Sequence, residues 1–571
     1  MRTKFIVFLL STLFVLSGTA AAHKCGMEVA HQNRIKAAAN PKGFAAKRIQ
    51  FARAPRDCEA SDYYDSVYTR ESEHFQIFYT LGEGPHATIP AFIDSLVVAL
   101  EEAFYFHTKT MGMRTPMGID TTNHYQKPVK KGLYPIEVAE IDFLRDPYYV
   151  VGGLACNGCY GVTYPDTNDH NKSAIIIDND FRYVPTLGQR ETSLVKDGKT
   201  CYYPVSSEIQ YNHADGFSYV DDWAKAIRVT AFHELYHAVQ LRYISLFDHW
   251  IPWIEASATA NEEIGVPDIN DYVFYVPYFF SKIDLVPLYM LDSLAKYGES
   301  TLYLYLYKNV DKHFDRDIWE RFAKTPDLSF EENLEKLLKA KNLSADSVFH
   351  DFATRLAFSG ERSKDVDKKF WVWDDQPKWG TPRIRSGLNY NTYSKEDDFY
   401  AGKDRSNINR FEPDTTQYMF RYYKDGEPDL ENYKGRASVL LFKGNTTEIC
   451  RIANTATIDS INRLTFTADS ILWVFSSFSN PKPIPEIVKD STLRAFPVPW
   501  RGSGMLCFTP LPDTKKFIEI RTSRGELVMR EPYTKTTHCI SEERIKEKMK
   551  PGVYRFRAGA SGKLEKFLVV Y

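Results

Sequence analysis

From Ser72 onward the polar and apolar positions fall into regular patterns. Ser72-Glu73-His74 leads into Phe75-Gln76-Ile77-Phe78-Tyr79, a mostly alternating run that predicts a strand. Over residues 89–111 apolar side chains recur at three and four, which predicts an amphipathic helix. Residues 135–142 and 173–178 predict two more strands, the second built on Ala174-Ile175-Ile176-Ile177. Asp221-Asp222, acids suited to a helix N-terminus, open a long helix that runs through Tyr243. Helices continue to about residue 360. Two of them, 329–340 and 344–357, begin with a Ser cap, and Glu332 stands three residues after Ser329. Around residue 370 the helical period stops, turn residues multiply, and short strands such as 438–442 and 471–475 predict a β-domain. Asn480-Pro481-Lys482-Pro483-Ile484-Pro485 reads as a stiff linker. Beyond it, residues 491–571 alternate between Gly turns as a small sandwich would.

The first 22 residues have their own logic. Arg2 and Lys4 precede a short apolar run, and Thr19-Ala20-Ala21-Ala22 supplies small residues for cleavage, the layout of a secretory signal peptide. No later stretch approaches the 18 apolar residues of a membrane span, so no transmembrane segment is expected. The expected organisation is thus a signal peptide (1–22), an N-terminal extension or pro-segment (23–60), a mixed domain (61–365), a β-domain (366–490) and the C-terminal sandwich (491–571). Export makes disulfides the default for the eight cysteines. Cys507 is expected to pair with Cys539, and Cys25 with Cys58; the alternative for Cys25 is a latent-state ligand to a metal. Cys156-Asn157-Gly158-Cys159 reads as a structural loop. The oxygen-rich 166–171 stretch lacks the Gly and terminal Glu of an EF-hand and reads as a solvated loop. Charge removes one class of partner: 72 basic against 74 acidic side chains offer no basic field for nucleic acid. The 14% aromatic content suits β-rich cores.

The sharpest chemical signal is His233-Glu234-Leu235-Tyr236-His237. On a helix the two imidazoles, four residues apart, project from one face, the spacing two ligands need to share a tetrahedral Zn2+. Glu234 stands beside them to take a proton from a metal-activated water. The metzincin pattern is excluded, because Gln240 and Tyr243 stand where it needs Gly and His. A third ligand is instead available in Trp253-Ile254-Glu255-Ala256-Ser257-Ala258, on a second helix-like stretch. Glu262, seven residues after Glu255, shares its face and could orient a ligating histidine; the alternative is a solvated helix face.

His233-Glu234-x-x-His237 followed by Trp253-x-Glu255-Ala-x-Ala258 resembles the gluzincins, the thermolysin-like and aminopeptidase-like zinc peptidases. The stretch from Ser173 through Asp178-Asn179-Asp180 to Glu263 is also similar to a group of large secreted bacterial metallopeptidases. This resemblance implies a multidomain chain, an α+β zincin-like metallopeptidase domain followed by two all-β, sandwich-like domains. It implies zinc held by His233, His237 and Glu255, Glu234 as general base, and 173–178 as the edge strand beside which substrate lies. The Gly-x-Met-Glu-Asn loop of the aminopeptidase branch is missing, so an endopeptidase acting on proteins or peptides is expected. Tyr272, Tyr275, Tyr278 and Tyr289 are candidates for stabilising the oxyanion.

Residues 496–571, with Phe496-Pro-Val-Pro-Trp500, Ser523-Arg-Gly525-Glu-Leu-Val528 and Gly552-Val-Tyr554, resemble the sorting domains of type IX secretion substrates. That implies secretion machinery as a partner and an extracellular or cell-surface location. The competing reading of the whole chain is a secreted surface or carbohydrate-binding protein on a catalytically dead zincin scaffold.

Overall fold

Phe75 and its alternating neighbours do form a strand, and it lies inside a mixed sheet. β1 (Val67–Glu71) is antiparallel to β2 (Phe75–Thr80), while β2, β4 (Tyr134–Val138) and β6 (Lys172–Ile177) run parallel. The two-residue β3 (Met117–Gly118) joins the start of β6 in parallel. β5 (Gly161–Pro165) is antiparallel to β6, from Gly161 opposite Ile177 to Pro165 opposite Ser173. Because β4 and β5 both pair with Ile175, Ile176 and Ile177, they must lie on opposite sides of β6. This corrects the expectation for 173–178: that strand is interior and β5 is the edge. Ala174 to Ile177 are fully buried, as a strand covered on both faces requires.

In this computed structural model the described residues are Cys25, Cys58 and those from 60 to 571, apart from 121–124, 142–149, 183–190, 207–217, 245–250, 386–418, 424–434, 453–467, 479–492 and breaks of three residues or fewer. The expected signal peptide and the 480–485 linker lie outside them. Two units result, Met1–Ile484 and Pro485–Tyr571. Among the described residues no helix is long and apolar enough to cross a membrane.

Two helices cover one face of the sheet. α1 (Pro90–Tyr105) starts on a proline, whose missing N–H costs nothing there, and runs on into a π-helical turn, Phe106–Thr110. α2 (Trp223–Gln240) lies beside it. Phe75, Ile77, Ile136, Ile175 and Ile177 meet Leu96, Leu100, Ile227 and Leu235 in that core. A hairpin, β7 (Glu191–Lys196) and β8 (Lys199–Pro204), carries Cys201, which is disulfide-bonded to Cys58. The expected Cys25–Cys58 pair is therefore wrong; Cys25 carries a thiol and lies elsewhere.

A helical layer follows: α3 (Ile251–Gly265), α4 (Val276–Lys282), α5 (Ala295–Gly298), α6 (Ser300–Asn309), α7 (Phe314–Lys324), α8 (Phe330–Ala340) and α9 (Ala345–Leu356). Ser329 and Glu332 form the full reciprocal cap at the start of α8, with N···O distances of 3.1 and 2.9 Å. A second sheet, in the order β9 (Ile384–Arg385), β10 (Met419–Tyr423), β13 (Ser470–Ser477), β11 (Arg436–Lys443), β12 (Thr446–Ile452), lies against α9. Its Leu440, Leu472 and Val474 belong to the same core as Phe349, Phe352 and Ala353 of α9. His350 seals the junction, its Nδ1 2.7 Å from Ser476 Oγ and its Nε2 2.7 Å from Ser438 Oγ. The opposite face of the sheet is buried as well, with Ala437, Val439, Leu441, Trp473 and Phe475 in a cluster of their own, and residues 386–418, 424–434 and 453–467 of the expected β-domain lie outside the described residues.

The second unit has two sheets around one core. β14 (Arg494–Phe496), β15 (Leu506–Thr509) and β18 (His538–Ile540) form one; β17 (Leu527–Pro532), β16 (Phe517–Thr522), β19 (Gly552–Ala558) and β20 (Glu565–Val569) form the other, in that order. Phe508, Ile540, Ile518, Ile520, Phe556 and Phe567 meet between them. A helix, α10 (Glu542–Lys548), follows β18, and the expected Cys507–Cys539 disulfide links β15 to β18.

Candidate metal centre

From Val229 to Gln240 every residue of α2 is buried, so each face has a separate task. Phe232, Leu235 and Ala238 enter the core under the sheet, while Tyr236 and Val239 enter the helical core. His107, from the π-helical turn, donates from Nε2 to the Phe232 carbonyl at 3.0 Å and fixes the helix from behind. Burial holds this imidazole down to about 3, and it is not part of the cluster. On the other side, Tyr236 donates to Asp315 of α7, which also accepts from Asn261 of α3 at 2.8 Å. The helices that carry the site are thus tied together by buried polar bonds.

The remaining face of α2 presents His233 and His237 to Glu255 and Glu262 of α3. The two Nε2 atoms lie 3.0 Å apart. Glu255 Oε2 is 3.2 Å from His233 Nε2 and 3.5 Å from His237 Nε2. Each Nδ1 is committed in the opposite direction. His233 Nδ1 donates to Glu262 Oε1 at 2.5 Å, and His237 Nδ1 donates to Gln240 Oε1 at 2.7 Å. Gln240 cannot turn over, because its amide nitrogen donates to the Ile254 carbonyl and to Ser257 Oγ at 3.0 and 2.9 Å. With each δ nitrogen committed to Glu262 or Gln240, the ε nitrogens are the ones that turn towards Glu255. Such a set fits a cation: ligands about 2.0–2.1 Å from a tetrahedral Zn2+ stand about 3.3 Å from one another.

Burial alone would lower His233, but hydrogen bonds to Glu255 and Glu262 outweigh it and raise the imidazole to about 9. Burial pushes the Glu255 carboxyl up, yet the Lys296 ammonium, and after it the two histidines, hold it well below the usual carboxylate range. Lys296 Nζ, itself buried, is 4.0 Å from Glu255 Oε1.

Glu234 points from α2 towards the edge of the sheet. A Cβ at Gly161 of β5 would come within 2.5 Å of Glu234 Cγ and 2.8 Å of its Oε1, so only glycine leaves room for the carboxylate there. The Thr163 hydroxyl lies 2.7 Å from Glu234 Oε2 and 2.8 Å from the Glu234 carbonyl. The edge strand therefore both covers and orients the general-base candidate.

Lys296 and Tyr297 escaped the sequence reading, whereas Cys25 figures there as the alternative ligand. Cys25 Sγ falls within 4.8 Å of ligand atoms of His233, His237 and Glu255, and its backbone bridges in parallel to Gly161. The Cys25 N–H donates to the Tyr297 hydroxyl at 3.4 Å. Tyr297, whose ring centre is 6.2 Å from that of His233, reaches the cluster from α5, beside Lys296. Of the tyrosines picked out in the sequence, Tyr272 accepts from Trp379, Tyr278 is exposed, Tyr275 stands behind Tyr297 at 5.0 Å, and Tyr289 lies outside the described residues. Asp178-Asn179-Asp180 forms a strand-end turn: Asp178 accepts from the N–H groups of Phe181, Asp180 and Ile141, and Asn179 donates to the carbonyls of Pro85 and Ala87. Asp166 and Asp169 likewise accept turn N–H groups, and Cys159 is disulfide-bonded. No known protein family and no curated protein sequence matches this chain.

Proposed function

We propose that the chain is a secreted zinc-dependent endopeptidase. The observation that carries this reading is the convergence of His233, His237 and Glu255 on one point, with the Glu234 carboxylate held beside it under an edge strand. Bound there, Zn2+ supplies Lewis acidity, polarising a peptide carbonyl and acidifying water. The residues of the chain do the rest. The outer edge of β5 offers backbone N–H and C=O groups to an extended peptide. Glu234 takes the proton from water and passes it to the leaving amine. The Tyr297 hydroxyl donates to the carbonyl oxygen as charge builds there. Glu262 and Gln240 hold the imidazoles in the tautomer that ligation needs. Secretion is supported by the N-terminal pattern and by two disulfides, Cys58–Cys201 and Cys507–Cys539. We assign the Pro485–Tyr571 unit to sorting or anchoring on its sequence likeness alone.

A second reading has its own observation. Cys25 makes a fourth donor, and four protein donors define a closed, structural zinc site. The separating experiment is a set of four proteins: wild type, Cys25→Ala, Glu234→Gln and the double variant, each analysed for zinc and for digestion of a mixed protein substrate. Zinc in all four, with hydrolysis confined to proteins that keep Glu234, is expected. Zinc in all four with no hydrolysis in any, or with hydrolysis indifferent to Glu234, overturns the peptidase.

A further inference from the structure

Cys25 does three things at once. It is wholly buried at the margin of the helical core, and its sulfur lies within 4.8 Å of two imidazole nitrogens and a carboxylate oxygen. Its backbone occupies β5 at Gly161, the residue that covers Glu234. Its N–H engages the hydroxyl of Tyr297. One residue of the N-terminal segment thus takes the fourth donor position, part of the edge, and the tyrosine that the proposed reaction would use.

We propose that Cys25 keeps the centre latent, as an internal ligand that must leave before a substrate can enter. This rests on the zinc hydrolase reading and adds its regulation. To coordinate, the thiol gives its proton to solvent, as thiols do beside a cation. A set of Cys25, His233, His237 and Glu255 is complete and leaves no position for water; the same set without Cys25 keeps three protein donors and one opening. Departure of the residue also frees the backbone edge at Gly161. A tethered donor acts at an effective concentration of order millimolar, so with an intrinsic dissociation constant of about 0.1 mM or below more than about nine-tenths of the molecules are closed.

The test uses the full chain with cobalt(II) exchanged for zinc. Wild type shows a thiolate-to-cobalt charge-transfer absorption in the near ultraviolet. Cys25→Ala and Cys25→Ser lose it, and Cys450→Ala, which removes a thiol on β12, retains it. In the zinc form a chromogenic disulfide titrates one thiol fewer than it does after chelation. Peptide hydrolysis by Cys25→Ala or Cys25→Ser rises at least ~10-fold over wild type, the inverse of the open fraction. Should both variants fail to fold, reversible methylthiolation of wild type replaces them, abolishing the absorption and raising hydrolysis together. An active wild type without the absorption, and with the same rate as Cys25→Ala, overturns latency but leaves the hydrolase. The absorption in wild type with no hydrolysis from any form overturns both, and leaves a structural metal.

Discussion

Replacing Gly161 by alanine adds one carbon at the closest approach between edge strand and general base. That carbon would lie 2.5 Å from Glu234 Cγ and 2.9 Å from Cδ, whereas carbon atoms in contact prefer about 3.5–4.0 Å. The carboxylate must move by about 1 Å, or β5 must lift away from α2. Neither is easy. Glu234 is 1% exposed, the Thr163 hydroxyl holds it, and β5 is laddered to β6. Overpacking of this kind costs roughly 1–3 kcal/mol of stability. For the reaction the displacement matters more, since a reacting group misplaced by about 1 Å loses roughly 100-fold in rate. Gly161→Ala, made together with Cys25→Ala so that latency does not hide the effect, is therefore expected to bind one zinc and to fall by roughly 100-fold in kcat with KM little changed. Steady-state hydrolysis, metal analysis and a thermal melt of the same preparation make the measurement. An unchanged kcat in a protein whose melting point has dropped would refute the placement of Glu234 in the chemistry. Loss of zinc would show that the strand supports the ligands rather than the base.

The imidazole partners and the buried junction histidine give two further expectations. Gln240→Leu removes the acceptor of the His237 Nδ1–H, so zinc affinity measured by chelator competition should weaken by roughly 10- to 100-fold, with activity recovering at saturating zinc. His350 is held neutral by burial and by Arg436 and Arg451, down to about 3, whereas the unfolded chain takes up its proton near pH 6.5. Between those values the unfolded state binds more protons, so this contribution is complete above about pH 6.5 and drains away as the pH falls towards 3. The urea midpoint of wild type should therefore fall more steeply on acidification than that of His350→Gln, and equal slopes would refute the assignment.

What could be read in advance was local. The four-residue spacing of His233 and His237 and the seven-residue spacing of Glu255 and Glu262 are helical periods, and the geometry of one helix carries them intact. Gln240 was readable in the same way, three residues after His237, but a glutamine announces no chemistry until its amide is seen fixed at both ends. Cys25, Gly161 and the adjacent pair Lys296 and Tyr297 come from three separate parts of the chain, and no period along it connects them. The edge strand was hidden for a related reason. Gly161-Val162-Thr163-Tyr164-Pro165 lacks a continuous apolar run and ends in proline, a residue that edges tolerate and interiors do not. The isoleucine run of β6 drew attention to itself because it is covered on both faces, but apolarity says nothing of the strand's flanks, and pairing with both β4 and β5 is what makes it interior.

The shared core beneath α9 sets how the chain can be shortened. A protein ending at residue 365 would strip Leu440, Leu472 and Val474 from the helices they cover. It would also remove both hydroxyls that satisfy His350, and the Tyr422 hydroxyl that donates to the Ala353 carbonyl at 2.6 Å. The bared helix would be greasy along its length, with an orphaned imidazole in the middle. Trimming that removes these strands should accordingly yield precipitate rather than a smaller working protein.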